Sequence, residues 1–379
     1  MISITQLSFV SAIVTAILAA LFVLLGPRVG GARINTRDVF AALVFVVTVG
    51  VLETLALALL IDINRLGMAH ILYVMVTVAI PVLGVTLIAI PLLPGYNSVL
   101  PNATPGALML SLLMILPGVF GWFATRVEPN RIVVTTENVA LAPARAGDAS
   151  VRVGVVSDIQ NFRVGDHEWN AVRRLNLERP DVILFAGDLF QGNNTQFEEN
   201  LRDFQELMAG LSAPLGVYAV LGHTESRAEM EAMIEGTGVT LLDNSQTTIR
   251  VADRTITLAG TEADPRSVGA GETAAALERT GGNDIRILLS HSPDVIEQVS
   301  PGTRIDLIVS GHTHGTQIQL PVVGAIFDNV DVPRSVASGG LSTIDRKRIY
   351  VSPGVGVVRG QAPQVRFAVT PTVDLLLLQ

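Results

Sequence analysis

The run Ile308-Val309-Ser310-Gly311-His312-Thr313-His314-Gly315-Thr316-Gln317 ends an apolar, β-branched stretch in two histidines one residue apart. Such a stretch predicts a buried strand, and the glycine-flanked histidines predict the loop that leaves it. The C-terminal half repeats this figure. Val153 to Ser157 runs into Asp158, Val182 to Gly187 into Asp188, Val217 to Gly222 into His223, and Ile287 to Ser290 into His291. Six residues able to bind a metal therefore stand just past the ends of five predicted strands, the edge at which open α/β sheets bind ligands. A single Asp or His after a strand is usually a turn former or a cap. Here four of the chain's six histidines stand at such ends, which makes a shared site the better reading. Carboxylate oxygens mixed with imidazoles suit Mn, Fe or Zn, and one aspartate can bridge two such ions. The pattern predicts a two-metal hydrolytic site.

The order Asp158-Ile159-Gln160, Gly187-Asp188, Gly222-His223-Thr224-Glu225, His291 and Gly311-His312-Thr313-His314 resembles the calcineurin-like metallophosphoesterase superfamily over residues 150–379. The segment from Gln317 to Pro321, the stretch Tyr350-Val351-Ser352-Pro353-Gly354-Val355-Gly356 and a closing strand from Arg366 to Leu378 resemble its membrane-associated bacterial branch. The resemblance implies a four-layer α/β/β/α sandwich and a metal-dependent phosphoric ester hydrolase that forms no phosphoenzyme. It implies two divalent or trivalent ions, Mn, Fe or Zn. One would be held by Asp158, Asp188 and His314, with Gln160 at the remaining position. The other would be held by Asp188, His223, His291 and His312, so that Asp188 bridges.

Two departures from the family pattern stand out. Gln160 occupies a position that is His in most members, which softens one metal site. The usual Gly-Asn-His-Asp is here Gly222-His223-Thr224-Glu225, with a histidine at the asparagine ligand and a threonine at the substrate-facing histidine. Threonine is no general acid near pH 7, and losing a positioned acid costs about 10²- to 10⁴-fold in rate. His167, Glu225 and, in a shifted register, His223 itself are the candidates for that proton; His167 reads more readily as a surface helix residue.

The N-terminal third is of another kind. Residues 1–125 carry only Arg28, Arg33, Arg37, Asp38, Glu53, Asp62 and Arg65 as charges. Four apolar stretches, at 3–25, 39–61, 70–93 and 106–125, each suffice to cross a bilayer at about 20 residues per helix. No basic residue precedes the first, so it is expected to remain as a helix and not to act as a signal peptide. Pro81, Pro91 and Pro117 fall in or near the later spans, with Pro81 expected to kink the third. Glu53 lies inside the second span, where a hydrogen-bonded acid within a bundle is the preferred reading over a transport role. Arg28, Arg33 and Arg37 in the first connection favour a cytoplasmic loop, and hence an extracytoplasmic C-terminal domain; Arg65, Arg126 and Arg131 weigh the other way.

The expected organisation is a transmembrane domain over 1–125, a linker over 126–150 in which Arg131 to Thr135 adds an edge strand, and a metallophosphoesterase domain over 151–379. Asp166 to Glu178 and Phe197 to Met208 read as amphipathic helices, Phe197, Leu201, Phe204 and Leu207 forming a core stripe. Thr247 to Gly260 reads as a hairpin turning near Ala252-Asp253. The chain has no cysteine, which excludes disulfides and thiolate chemistry. Its net charge of −8 and single lysine, Lys347, argue against nucleic-acid binding. The function expected is a phosphodiesterase or pyrophosphatase of the bacterial cell membrane, acting on a lipid-linked or envelope phosphate ester. The alternative is a catalytically weakened metal-binding sensor or scaffold.

Overall fold

The structure is a computed structural model and describes residues 4–25, 33–60, 63–89, 103–147, 150–251, 254–320, 322–325 and 329–379. The expected hairpin turn at Ala252-Asp253, Arg28, Asp62, Pro91 and Pro321 lie outside these. The chain divides into two compact units, Met1–Val127 with Arg359–Gln364, and Glu128–Val358 with Val365–Gln379.

Among the described residues of the first unit, four helices are long and apolar enough to cross a membrane: α1 (Ile4–Leu25), α2 (Thr36–Leu60), α3 (Arg65–Ala89) and α4 (Pro105–Asn130). A helix satisfies its own backbone, which lets such sequences leave water. Size sorts the side chains: Ala12, Ala16, Ala19, Ala42 and Val46 are buried between helices, whereas Phe9, Phe22, Phe40, Leu59 and Leu60 face outward. Gly121 lets α4 approach Thr77 so closely that a Cβ would lie 2.6 Å from the threonine Cβ. Pro81 cannot donate to the carbonyl four residues back. The helix absorbs this with a π-turn at Met75–Ala79 just upstream. Pro117 sits in the first turn of a helical segment, Leu116–Trp122, where its missing N–H costs nothing. Glu53 accepts a 2.5 Å hydrogen bond from Ser11 Oγ inside the bundle.

Among its described residues, the second unit holds two six-stranded sheets. The first contains β1 (Val133–Val139), β2 (Val151–Val156), β3 (Val182–Phe185), β4 (Val217–Ala219), β5 (Val239–Leu241) and β14 (Thr372–Leu378), in the order β1-β14-β2-β3-β4-β5. The second contains β6 (Ser245–Val251), β7 (Arg254–Gly260), β8 (Ile285–Leu289), β9 (Leu307–Ser310), β12 (Gly340–Ile344) and β13 (Lys347–Val351), in the order β12-β13-β9-β8-β7-β6. A two-stranded ribbon, β10 (Gln319–Leu320) and β11 (Gly324–Ala325), stands apart from both. β2 to β5 are mutually parallel, as are β7, β8, β9 and β13, so within each sheet the ligand-bearing strands end on one edge.

Alternate side chains of each strand enter different cores, the period of two that a strand imposes. Val153, Val155, Val182 and Leu184 join Ile285, Ile287, Leu307 and Val309 in a cluster drawn from both sheets. Val156, Ile183 and Phe185 instead pack with α5 (Asp166–Leu177), α6 (Asn194–Ala209) and α7 (Arg227–Ile234), through Leu175, Phe204, Leu207 and Met230. Leu288 and Ile308 meet Ala274 and Leu277 of α8 (Val268–Arg279). Phe204 and Leu207 of the expected core stripe are fully buried, and Phe197 and Leu201 pack against the same cluster. Two segments differ from expectation. The edge strand expected in the linker is present as β1, but it runs from Val133 to Val139 and not from Arg131 to Thr135, bonded in parallel to β14 along seven residue pairs, and the closing strand starts at Thr372, not Arg366. Both follow from pairing across more than 200 residues, which no local pattern announces.

Candidate metal centre

Each ligand-type residue is delivered by a strand end. β2 leads to Asp158, β3 to Asp188, β4 to His223, β8 to His291, and β9 to His312 and His314. The turns that follow are sharp. Asp158, Gln160, Asp188, His312 and His314 have φ of 52°, 46°, 57°, 72° and 49°. Left-handed backbone costs a non-glycine residue about 1–3 kcal/mol and persists where surrounding structure enforces it, most often at functional sites. The preceding glycine has its own cause. A Cβ on Gly222 would collide with the Asp188 backbone nitrogen and Oδ1, so only glycine lets the two loops close.

The side chains then converge. His223 Nδ1 and His291 Nε2 each lie 3.2 Å from His312 Nδ1. His291 Nε2 is 3.4 Å from Asp188 Oδ1, and His314 Nε2 is 3.6 Å from Asp158 Oδ1. Two groups of three result, His223 with His291 and His312, and Asp158 with Asp188 and His291, each with its ligand atoms within 4.8 Å of one another. Nitrogens around a tetrahedral cation at 2.0–2.1 Å stand about 3.3 Å apart. The 3.2 Å spacings match that figure. His314 Nε2, buried and without a hydrogen-bond partner, has the lone-pair environment of a ligand. The donor set therefore fits divalent cations.

Backbone carbonyls fix the rings from behind, as outer-shell partners of metal ligands do. His291 Nδ1 donates to Ala186 O at 2.7 Å, which leaves Nε2 for the cluster. Backbone hydrogen bonds to Asn329, Gly356 and Ala263 also hold His312, His314 and His223, with Nδ1 the cluster-facing nitrogen of His312 and His223. His312 N–H donates to both oxygens of Asp158 at 3.0 Å, and the His223 and Thr224 N–H groups donate to Asp188 Oδ1 at 2.6 and 3.0 Å.

Electrostatics divides the ligands. Burial pushes Asp158 up to about 7. For His291 burial acts downward, but the Asp188 carboxylate outweighs it and raises the ring to about 10; in return His291 holds Asp188 well below the usual carboxylate range in spite of its own burial. Burial lowers His312 to about 3, helped by the His291 charge, and His314 to about 3, helped by Arg366. Without a cation, a protonated His291 thus lies between two carboxylates, while His312 and His314 are neutral and ready to ligate.

The remaining candidates lie differently. Gln160 is buried, its N–H donating to Asp188 O at 2.9 Å. The Thr224 hydroxyl turns to Glu225 Oε2 at 3.2 Å. Glu225 is buried and accepts from the N–H groups of Asp188, Leu189 and Gly222 at 3.2, 2.9 and 2.8 Å. Burial, with Asp188 beside it, pushes it up to about 7. Both oxygens of Glu225, one of the candidates for the proton, thus brace the loops behind Asp188. His167, in the first turn of α5, directs Nε2 to the Val355 carbonyl at 3.2 Å and not to the cluster. Arg366, anticipated only as the start of a strand, is buried against His314; a lone arginine in an apolar C-terminal segment was its sequence signal.

The profile of the calcineurin-like phosphoesterase family matches residues 151–316. The chain is 30% identical to the phosphodiesterase YaeI of Escherichia coli K12 over 209 residues, covering 53% of this chain and 71% of that protein. This chain belongs to the calcineurin-like phosphoesterase family. It is accordingly a metal-dependent phosphoric ester hydrolase. Among other relatives of this phosphoesterase, the uncharacterized metallophosphoesterase YkuE of Bacillus subtilis 168 is 26% identical over 68% of this chain and 89% of its own length. The UDP-2,3-diacylglucosamine pyrophosphatase LpxG of Chlamydia trachomatis is 24% identical over 70% of this chain and 95% of its own.

Proposed function

We propose that the protein is a membrane-anchored two-metal phosphodiesterase or pyrophosphatase whose substrate is a phosphate ester carried on a lipid or envelope component. The observation that carries the reading is the convergence of Asp158, Asp188, His223, His291, His312 and His314, with Asp188 Oδ1 3.4 Å from His291, the residue common to both groups of three, and His314 against Asp158. His223, His291 and His312 with Asp188 would hold one cation. Asp158, Asp188 and His314, with Gln160 alongside, would hold the other. When bound, such a pair of Mn, Fe or Zn ions supplies a water nucleophile at neutral pH and offsets the charge of the phosphoryl oxygens. The chain's own part is to orient the imidazoles through backbone carbonyls, to keep His312 and His314 neutral, and to leave one side open at the exposed His223.

The alternating cores support stacking of the two sheets as the inner layers of an α/β/β/α sandwich. We divide the chain into a transmembrane domain over 1–125, a connection over 126–150 and the phosphoesterase domain over 151–379. The membrane setting rests on the four apolar helices, and the arginines of the first connection favour an extracytoplasmic catalytic domain. The substrate class draws on those helices and on the activities named for YaeI and LpxG. With Thr224 turned to Glu225, the side chain at the usual substrate-facing position is occupied, so a substrate with a good leaving group, a diester or a pyrophosphate, suits the site.

The test uses the full-length chain in detergent on a chromogenic phosphodiester and its monoester, with added Mn²⁺, with chelator, and as Asp188→Ala. We expect metal-dependent hydrolysis, faster on the diester, that Asp188→Ala abolishes. Tight metal binding with no turnover of a diester, a monoester or a lipid-linked pyrophosphate would instead support a sensor or scaffold.

A further inference from the structure

Arg366 is fully buried, yet among the described residues it makes no ion pair with a carboxylate. Its guanidinium is spent on backbone. Nε donates to Gly356 O at 2.8 Å, and NH2 donates to Pro353 O, Gly354 O and Gly356 O at 2.8, 3.0 and 2.6 Å. NH2 also comes within 3.4 Å of His314 Nδ1, and NH1 is buried without a partner. A buried, unpaired cation is costly, so fold stability alone is a poor reason to keep one here.

What the guanidinium grips explains its presence. The carbonyls belong to the loop over residues 353–356, which lies against Asp158. Val355 N–H donates to Ser157 O at 3.0 Å and Gly356 N–H to Asp158 O at 2.6 Å, and a Cβ on Gly354 would come 2.7 Å from Asp158 Cβ. Gly356 O is also the backbone acceptor of His314. With the Nδ1 proton directed to that carbonyl, the Nε2 lone pair would face Asp158, the tautomer a metal ligand needs. Arg366 has only donors, five in a fixed plane, and can hold several carbonyls at set angles where a lysine ammonium cannot.

We propose that Arg366 is a positioning residue for the Asp158–His314 metal position: it clamps the Gly356 carbonyl and the loop behind Asp158, and so presents His314 Nε2 to the cation. The proposal rests on the two-metal reading above and deepens it, because it makes one position depend on Arg366 and leaves the three-histidine position independent of it. It also accounts for a usable position where Gln160 supplies no imidazole.

The experiment is metal stoichiometry and affinity on the full-length protein in detergent, with Mn²⁺ and Zn²⁺ as probes, for wild type, Arg366→Ala, Arg366→Lys and Arg286→Ala. Arg286 is the structural control, another fully buried arginine that donates to the Thr280 and Gly282 carbonyls at 2.6 and 3.2 Å, at the start of β8. We expect two ions in wild type and in Arg286→Ala. In Arg366→Ala the weaker ion should be lost or bound about 10- to 100-fold less tightly, with the other unchanged; Arg366→Lys should fall between. Fewer than two ions in wild type would sink the two-metal reading itself. Two ions in wild type with both retained at wild-type affinity in Arg366→Ala would overturn only the role of Arg366. Where Arg366→Ala does not fold, Arg366→Lys decides: unchanged affinity at both positions, or equal weakening of both, refutes selective positioning.

Discussion

The two halves of the proposed metal centre are built from different materials. The half made by His223, His291 and His312 is three imidazoles at 3.2 Å spacings, and one of them, His223, is exposed. The half made by Asp158 and His314 is sealed, with Gln160, Arg366 and a tight glycine loop packed around it. An open half can exchange water and substrate. A sealed half must be preorganised by its surroundings, because buried polar groups have no solvent to correct their geometry. Left-handed backbone occurs in both halves, at Asp158, Gln160 and His314 in the sealed one and at His312 in the open one, while His223 and His291 need none.

Changes at Asp188 should be largest, since in the proposed centre it would serve both halves. Asp188→Ala is expected to lower diester hydrolysis by about 10³-fold or more, read by initial rates at saturating Mn²⁺. Retained activity would mean that the halves do not share a carboxylate. His223→Ala should cost about 10²-fold and weaken one ion without touching the other, as titration calorimetry would resolve. Equal weakening of both ions would erase the distinction between an open and a sealed half.

Gln160→His tests the sealed half in the opposite direction. An added imidazole should tighten the weaker ion by about tenfold. No change in affinity would mean that position 160 does not face a cation. Glu225→Gln probes the brace beneath both: a carboxamide presents N–H groups to the N–H donors of Asp188, Leu189 and Gly222. Leaving such groups unsatisfied costs about 1–3 kcal/mol, visible as a lower Tm, while metal-dependent turnover persists. Loss of turnover in a protein of unchanged Tm would return Glu225 to the chemistry.

The pH dependence of metal binding is a finer measure. A cation must displace the proton that Asp188 holds on His291, raised to about 10, so raising the pH removes a competitor and strengthens binding. Near pH 8 about one proton should be released from His291 on loading. Towards pH 6 the release should grow, because Asp158, raised to about 7, is then protonated as well. Calorimetry in buffers of different ionisation enthalpy counts these protons; a release of zero across pH 6 to 8 would mean that His291 is not a ligand.

Much of this centre was legible in the sequence because a buried parallel strand is a local apolar run and its ligand is the residue after a closing glycine or serine. Asp188 and His223 follow Gly187 and Gly222 for a steric reason that the spacing already expresses. The four apolar helices were legible for a similar reason, composition over about 20 residues being enough. The joining of β1 to the ligand-bearing strands of the first sheet was not, since it depends on β14 returning from the far end of the chain to pair with both β1 and β2. The direction of the Glu225 side chain was hidden too. The turn after Gly222 decides whether it faces substrate or backbone, and residue type favours neither. Arg366 acts through carbonyls, which every residue carries and no sequence marks.

Crystals of the Mn²⁺-soaked protein, measured for anomalous scattering, test the shared-carboxylate centre most directly. Two peaks about 3.5–4 Å apart are expected, one within reach of His223, His291 and His312, the other of Asp158 and His314, with Asp188 touching both. A single peak, or two that do not share Asp188, would contradict it.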